Sequence, residues 1–359
     1  MVRVVFVAPF FMDATLRFVR AIAELGGVQL ALVSQDPLVK LPPGLRDRLS
    51  AHFQVGDALD PAEIERAVRG VAPRLGNEVD LLLGTLEQLQ IPLAIVRDRL
   101  GISGLGERAA RNFRDKGQMK DVLRAAGLPV ARHKTATSEA EARAFVREVG
   151  LPVVVKPSAG AAAVATFRAE DEEGLARALA ATRPRPEAPA VIEEFVRGEE
   201  RSFETVSLAG EALWDSSTRY SPSPLTVLEN PWIQWTVVLP RETALPEVDA
   251  FRPTVRAALK ALGMQTGVSH MEWFRTPSGR AVISEVGARP PGAQIMTINS
   301  YAHEVDFYKL WARLVVHGVF EPPTRRFAVG GAYFRGAGLG RVIRVHGLGK
   351  AQQAIGLLV

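Results

Sequence analysis

The sequence predicts an α/β protein with a doubly wound parallel sheet at its N-terminus and an α+β arrangement in its C-terminal half. Roughly the first hundred residues alternate apolar runs of strand length with segments of helical period, the pattern of a parallel sheet with helices on both faces. The third unit, which begins near Ser202, is predicted to be mostly strand. Because 359 residues are too many for one ordinary core, we expect two or three lobes.

In the N-terminal unit, Val2–Val7 is apolar apart from Arg3, which predicts a strand covered on both faces. Thr15–Leu25 carries apolar residues at helical spacing. Pro61–Leu75 follows Asp60, a helix N-cap with a proline at the first helical position. Ala8-Pro9-Phe10 stands where a dinucleotide-binding fold carries its Gly-rich loop, so that class is excluded. Further buried strands are predicted at Val28–Val33 and Val79–Leu83.

The second unit is predicted to alternate helices and strands. Gly127 ends one helix, and a Ser-x-x-Glu capping box at Ser138 begins another. The predicted helices are Lys116–Ala126, Ser138–Val149 and Glu172–Ala181, and the predicted strands are Pro152–Lys156, Val164–Arg168 and Ala190–Val196.

The third unit is predicted to be strand-rich, with one long loop. Its strands run from Ser202 through Trp214, at Val268–Arg275 and at Arg280–Val286, its helices lie at Phe251–Leu262 and Asp306–His317, and the loop covers Ser216–Pro231. We place the domains at residues 1–110, 111–196, 197–320 and 321–359, the last as partial C-terminal strands. The apolar ending Ala354–Val359 leads us to expect either a shortened chain or a final ordered segment.

Composition excludes several classes of protein. The absence of cysteine rules out disulfides, thiolate metal sites and cysteine nucleophiles. No apolar run reaches the roughly 18–20 residues that span a bilayer, and Met1–Phe11 lacks the features of a signal peptide, so we expect no membrane contact and a cytoplasmic location. The net charge of +5 comes without a block of basic residues, so we expect no nucleic acid partner.

The segment from Gly267 to Arg289 predicts a hairpin with acidic residues at matching positions. A four-residue loop at 277–280 pairs Thr276 with Ala281 and sets Glu272 opposite Glu285. Two carboxylates facing each other across a ladder repel, and a Mg²⁺ ion would compensate their charge. Two exposed acids on a solvated strand remain the alternative. Strand alternation places on one face His270, Glu272, Ile283, Glu285, Gly287 and Arg289.

Lys156 ends a strand of three valines and precedes Ser158 and a run of small residues, Ala159–Ala163. Small side chains let backbone N–H groups approach an anion closely. A lysine beside such a loop therefore suits a triphosphate, with a solvated strand end as the alternative.

Taken in order, these motifs resemble the ATP-grasp superfamily, and within it the L-amino-acid ligase and carnosine synthase branch, with biotin carboxylase and D-alanine–D-alanine ligase more distant. The resemblance covers nearly the whole chain and implies an ATP-grasp fold behind an α/β pre-domain. It rests on the segments Asn112–Lys116, Val153–Lys156, Val191–Val196, Gly198–Glu204, Ser269–Glu272 and Glu285–Gly292.

The resemblance implies which residues bind the nucleotide. Lys116 and Lys156 would contact the ATP phosphates. Ser158–Val164 would form the phosphate lid, although Ala161-Ala162-Ala163 departs from the Ser-x-Gly ending that is common in the family. The remaining contacts would come from the adenine-lining hinge Glu193, Glu194, Phe195 and Val196, from Glu200 at the ribose hydroxyls, and from Glu204 near the phosphates or the substrate.

The same resemblance implies the metal and catalytic residues. Glu272 and Glu285 match the acids that bind Mg²⁺ (or Mn²⁺), and Arg289 matches the arginine that holds a carboxylate or acyl phosphate. Gly287 stands where many members carry an asparagine that helps to hold a second ion. His270 is expected to be a general base or a substrate contact, and a structural histidine is the alternative.

By this resemblance the chain is expected to be an ATP-dependent carboxylate–amine ligase that forms an acyl phosphate, passes it to an amine and releases ADP and phosphate. Its partners would be a small carboxylate, an amino acid being favoured, and an amine, with a homodimer left open. A bicarbonate-activating carboxylase and a nucleotide-binding protein without catalysis remain alternatives. Ser216–Pro231 is a candidate substrate cover, and Trp232 and Trp235 either line a pocket or pack in the core.

Overall fold

The computed structural model describes residues 1–158, 166–230, 232–336, 340–341 and 343–355. These residues form three β-sheets, and helices pack on the apolar faces of the sheets. No helix among these residues is long and apolar enough to cross a membrane.

The N-terminal unit contains a four-stranded parallel sheet in the order β3-β2-β1-β4. Leu16 and Ile22 of the first helix pack on one face of the sheet, and Ile64 and Leu93 of two later helices pack on the other. The predicted doubly wound sheet is therefore confirmed. Its strands are β1 (Val2–Val7), β2 (Val28–Ser34), β3 (Ala51–Gln54) and β4 (Leu81–Leu83), and its helices are α1 (Asp13–Ala23), α2 (Pro43–Arg46), α3 (Pro61–Val71), α4 (Gln90–Leu100) and α5 (Glu107–Arg114).

The second unit contains a four-stranded antiparallel sheet in the order β5-β8-β6-β7, with two helices packed on it. The predicted cap is present, since the Ser138 side chain accepts the backbone N–H of Glu141. Of the strand predicted at Val164–Arg168, residues 164 and 165 lie outside the described residues. The elements are α6 (Lys116–Ala125), β5 (His133–Ala136), α7 (Glu139–Val149), β6 (Val153–Pro157), β7 (Phe167–Ala169), α8 (Glu172–Thr182) and β8 (Ala190–Glu194).

The third unit contains a six-stranded antiparallel sheet in the order β13-β12-β9-β10-β11-β14. Its last strand pairs Tyr333 with Trp235, so residues 329–333 belong to this sheet. The strands are β9 (Glu199–Leu208), β10 (Glu211–Ser221), β11 (Trp235–Leu239), β12 (Gly267–Arg275), β13 (Ala281–Gly287) and β14 (Val329–Tyr333), and the helices are α9 (Pro224–Glu229), α10 (Pro246–Leu262), α11 (Ile295–His303), α12 (Phe307–His317) and α13 (Leu348–Ile355).

The loop predicted at Ser216–Pro231 is wrong over most of its length. β10 continues to Ser221, and α9 occupies Pro224–Glu229. The physical reason is that Ser216, Thr218 and Tyr220 alternate with more exposed residues and are buried against the sheet. Trp232 is exposed, whereas Trp235 packs between the tilted rings of Tyr220 and Tyr333.

The hairpin β12–β13 differs in detail from its predicted register. Arg275, not Thr276, pairs with Ala281, so the loop has one more residue than expected. A β-bulge at Ser284 restores the predicted pairing of Glu272 with Glu285. The bulge also turns Ile283 to the opposite face, where it is fully buried with Trp273, so its predicted place beside the acids is wrong.

Candidate active site

Four carboxylates converge on one face of the six-stranded sheet. Glu272 of β12 lies opposite Glu285 of β13. The next strand, β9, contributes Glu200 and Glu204, which are buried and stand on the same face because they pair with residues of matching parity in β12. The sheet therefore gathers four acidic groups on one face, of which Glu200 and Glu204 are buried and Glu272 and Glu285 are partly exposed.

Helix α6 packs beside β13, the edge strand of this sheet, and brings lysines to the acids. Lys116 forms an ion pair with Glu285. The backbone N–H of the next residue, Val286, donates to the sulfur of Met119 in the same helix at 3.2 Å. Burial disfavours the charge of Glu285, but Lys116 and Lys156 outweigh it and lower the pKa of that carboxyl to about 2. Glu285 is thus ionised and partly neutralised by lysines from the second unit.

Lys156 and Glu193 form a buried ion pair in the second unit. The Lys156 Nζ lies 2.6 Å from Glu193 Oε1 and the Lys120 Nζ 3.4 Å from Glu193 Oε2. Burial acts against both charges of the first pair. Glu193 nevertheless raises the pKa of Lys156, and Lys120 and Lys156 together lower the pKa of Glu193. The negative charges of Glu285 and Glu272 also act on Lys156, which places it beside the acidic face.

The hinge residues that were expected to line adenine divide into two groups. The Glu193 carboxylate turns inward to the lysines, so its side chain is a partner of the phosphate-binding candidates. Glu194 pairs with Arg132 at 2.8 Å at the end of β8. Phe195 donates its backbone N–H to Pro152 O at 3.1 Å and lies under the Arg168 guanidinium, and Val196 is partly exposed beside it.

Ser158 contributes through its backbone. Its carbonyl accepts the N–H of Lys116 at 3.0 Å, which fixes the first turn of α6 to the end of β6. The rest of the predicted phosphate lid, residues 159–164, lies outside the described residues.

His270 joins two of the acids. Its Nδ1 lies 2.9 Å from Glu204 Oε1, and its Nε2 lies 3.7 Å from Glu272 Oε1. Burial disfavours the imidazolium, but the two carboxylates outweigh it and raise the pKa of His270 to about 9. A protonated imidazole has no lone pair to accept a proton, so this environment suits a cationic partner of the acids better than a general base.

The pKa of Glu200 reflects the close approach of the acidic side chains. Burial first, and then the charges of Glu272 and Glu285, raise the pKa of the Glu200 carboxyl to about 8 despite the nearby Lys156. A group of carboxylates in which one is held protonated near neutral pH has an excess of negative charge that a cation would relieve.

Arg289 reaches the same region from the end of the hairpin. Its Nε donates to Glu87 Oε2 of the N-terminal unit, and its Nη1 donates to Pro290 O at 2.9 Å. Glu87 Oε1 lies 3.9 Å from Arg114. All three units therefore contribute side chains to one region.

The residues around Glu272 and Glu285 suit a divalent cation. Carboxylate oxygens are the ligands that Mg²⁺ prefers, and two acids are enough when substrate phosphates supply the other ligands. Among the described residues, no group of three or more Asp, Glu or His side chains is arranged to hold a metal by itself. A site shared with a phosphorylated substrate fits this donor set.

Sequence reasoning missed Lys120 and Glu87. Lys120 is one helical turn after Lys116, so a lysine pair on one helix face was a signal that could have revealed it. Its Nζ donates to Ser284 O at 2.8 Å, and burial lowers its pKa to about 8. Glu87 had no local signal, because its partner Arg289 lies 202 positions away in the chain.

Comparison with known proteins agrees with this geometry. Residues 121–304, just over half of the chain, match the ATP-grasp domain family. Alanine–anticapsin ligase of Bacillus subtilis (strain 168) is 29% identical over 231 residues, which are 58% of this chain and 48% of that protein. D-Alanine–D-alanine ligase of Sodalis glossinidius is 29% identical over 248 residues, 65% of this chain and 63% of that protein.

In its fold, the chain resembles the crystal structure of L-amino acid ligase from Bacillus licheniformis, with a TM-score of 0.77 and 20% identity over 98% of this chain and 85% of that one. The chain spans about half the length of alanine–anticapsin ligase. From the family match and from the shared architecture of the three units, we conclude that this chain belongs to the ATP-grasp family.

Proposed function

We propose that this chain is an ATP-dependent carboxylate–amine ligase. The observation that carries the proposal is that Lys116 and Lys156 of the second unit lie beside Glu285 and Glu272 of the third. That arrangement suits transfer of a phosphoryl group, since such catalysis consists mainly of positioning and of charge stabilisation. Relatives named as amino acid ligases support the same activity.

The lysines and the hinge would bind ATP. Lys116 and Lys156 would face its phosphates, and the end of β8, with Glu194, Phe195 and Val196, would line the adenine. Glu200 would accept the ribose hydroxyls as hydrogen-bond donors. Glu193 would not contact ATP through its side chain but would position the lysines, because its carboxylate pairs with Lys156 and Lys120.

Glu272 and Glu285 would hold Mg²⁺ (or Mn²⁺), with Gly287 providing no side-chain ligand. When bound, the ion would supply positive charge beside the transferred phosphoryl group. His270 and Glu204 would orient Glu272, since the imidazole lies between the two carboxylates.

The reaction would proceed in two steps that balance without a covalent enzyme intermediate. A carboxylate oxygen of the acid substrate attacks the γ-phosphorus of ATP, and the bond to the β–γ bridging oxygen breaks, which yields ADP and an acyl phosphate. The amine then attacks the acyl carbon and displaces phosphate, while one proton leaves the nitrogen to water or phosphate. Arg289 would stabilise the oxygens of the acyl phosphate and of the tetrahedral adduct.

ADP release from the full chain tests this function. A screen would supply ATP, Mg²⁺ and pairs of amino acids, and mass spectrometry would identify any dipeptide. Release of ADP that requires both a carboxylate and an amine, with one amide formed per ADP, is the expected result. Turnover that responds to bicarbonate alone would instead indicate a carboxylase, and nucleotide binding without turnover would indicate a protein without catalysis.

The proposed partners are small molecules, namely an amino acid as the acid and an amine as acceptor, with a homodimer as a further possibility for the assembly. A cytoplasmic location, where ATP is available, is part of the same proposal.

A further inference from the structure

The N-terminal parallel sheet directs a charged side chain at the catalytic centre. Its strand order, β3-β2-β1-β4, places β4 on the opposite side of β1 from β2, which makes the pair β1/β4 a topological switch point. Crevices outside the carboxyl ends of strands at such points are where open α/β sheets place their functional groups. Glu87 follows β4 at this edge and begins a short 3₁₀ turn, Glu87–Leu89.

Glu87 is buried, with 7% of its surface exposed, and arginines from two other elements approach its two oxygens. Oε2 accepts the Arg289 Nε–H, and Oε1 lies 3.9 Å from Arg114. A carboxylate that accepts the Nε–H of an arginine limits rotation of the guanidinium plane. Arg289 Nη1 also donates to Pro290 O at 2.9 Å, so two of the five N–H donors have protein acceptors.

Gly287 packs directly against this contact. A Cβ atom at that position would lie 3.4 Å from Glu87 Oε2 and 3.5 Å from Arg289 Cγ. A methyl group at this position would lie in ordinary van der Waals contact with both partners. The glycine and the buried glutamate thus form one packed arrangement beside Glu285.

We propose that Glu87 is a positioning residue that orients Arg289, so that the N-terminal unit takes part in binding the acid substrate. The inference rests on the proposed function. Glu87 acts through Arg289, and its polar partners among the described residues are Arg289 and Arg114, neither of which is assigned to the nucleotide. Its removal therefore weakens the handling of the carboxylate and its acyl phosphate and leaves ATP binding intact.

The test compares Glu87→Gln with Glu65→Gln in the full chain. Glu65 is the matched control because it also lies in the N-terminal unit and pairs with two arginines, Arg69 and Arg99, but on the surface of a helix. Steady-state ADP release gives kcat and KM for the carboxylate and for ATP separately, and a thermal melt gives Tm. Glu87→Asp, which keeps the charge but is one methylene too short to reach Arg289, serves as the second variant.

For Glu87→Gln we expect kcat/KM for the carboxylate to fall roughly 10- to 100-fold, with KM for ATP changed by less than about twofold. Glu87→Asp should show the same separation of the two substrates, and Glu65→Gln should match the unmodified chain. Unchanged carboxylate kinetics in both Glu87 variants, or equal losses toward ATP and carboxylate, would overturn the inference alone. No carboxylate-dependent ADP release from the unmodified chain would overturn the proposed function, and this inference with it.

Discussion

Replacing Lys120 with methionine tests how the acidic pair is held in place. The Lys120 Nζ donates to Ser284 O at 2.8 Å, and Ser284 is the bulged residue that lets Glu285 face Glu272. The same ammonium lies 3.4 Å from Glu193, and its side chain is 1% exposed. Methionine keeps the length and the apolar stem but removes the donor and the charge.

The magnitude follows from two buried contacts. A buried carbonyl left without a donor costs about 1–3 kcal/mol. Glu193 keeps Lys156 at 2.6 Å, so its loss is well below the roughly 3–5 kcal/mol of a carboxylate left with no partner. We therefore expect a destabilisation of about 2–4 kcal/mol, followed as the shift of the urea transition that reports the unit containing α6.

The site should respond as well. If the bulge relaxes, β13 slips by one residue and Glu285 turns to the other face of the sheet. A loss of about 1.4 kcal/mol in binding free energy lowers affinity tenfold. We therefore expect Mn²⁺ to bind about tenfold or more weakly in the presence of ADP, as measured by electron paramagnetic resonance. Lys134→Met, at an exposed lysine on β5, is the control. Mn²⁺ affinity and urea stability equal to those of the control would refute the role of Lys120 in holding the bulge.

Three further predictions concern single positions. Glu285→Gln should reduce phosphate release at least 100-fold while ADP still binds, as measured by calorimetry, because the variant keeps the shape but loses a metal-binding charge; undiminished release would remove the metal assignment. Gly117→Ala should destabilise the protein by about 1–3 kcal/mol, because the new Cβ would lie 2.1 Å from Thr135 Oγ1. Adding Thr135→Ala to this variant should restore the stability measured by urea unfolding. A double variant no more stable than Gly117→Ala would contradict the clash. Burial, opposed by the Asn299 carbonyl, lowers the pKa of His303 to about 4. Between pH 6.5 and 4 the imidazole is therefore protonated in the unfolded chain but neutral in the folded one. The free energy of unfolding should fall by about 1 kcal/mol from pH 7 to pH 5 after allowance for screening. His303→Gln should flatten that dependence in urea titrations and His317→Gln, at an exposed site, should not; equal slopes in all three proteins would refute the assignment.

The sequence by itself determined the features that depend on local pattern. The continuous apolar run Val4–Val7 is typical of a strand covered on both faces, and its residues alternate between two cores in the first sheet. Alternation along β12 placed His270 and Glu272 on one face, because the side-chain period of a strand is two. The order of the lysines, the acids and Arg289 along the chain was enough to indicate the family.

Tertiary structure alone decided the contacts that join distant segments. The carbonyl of the bulged Ser284 accepts a hydrogen bond from Lys120 of α6, and the bulge places Ile283 in the core while keeping the two acids opposed. Glu87 and Arg289 meet only when the N-terminal sheet packs beside the hairpin. Local pattern specifies the period and face of each element, whereas the pairing of two buried charges depends on how whole elements pack, and no short stretch of sequence encodes that packing.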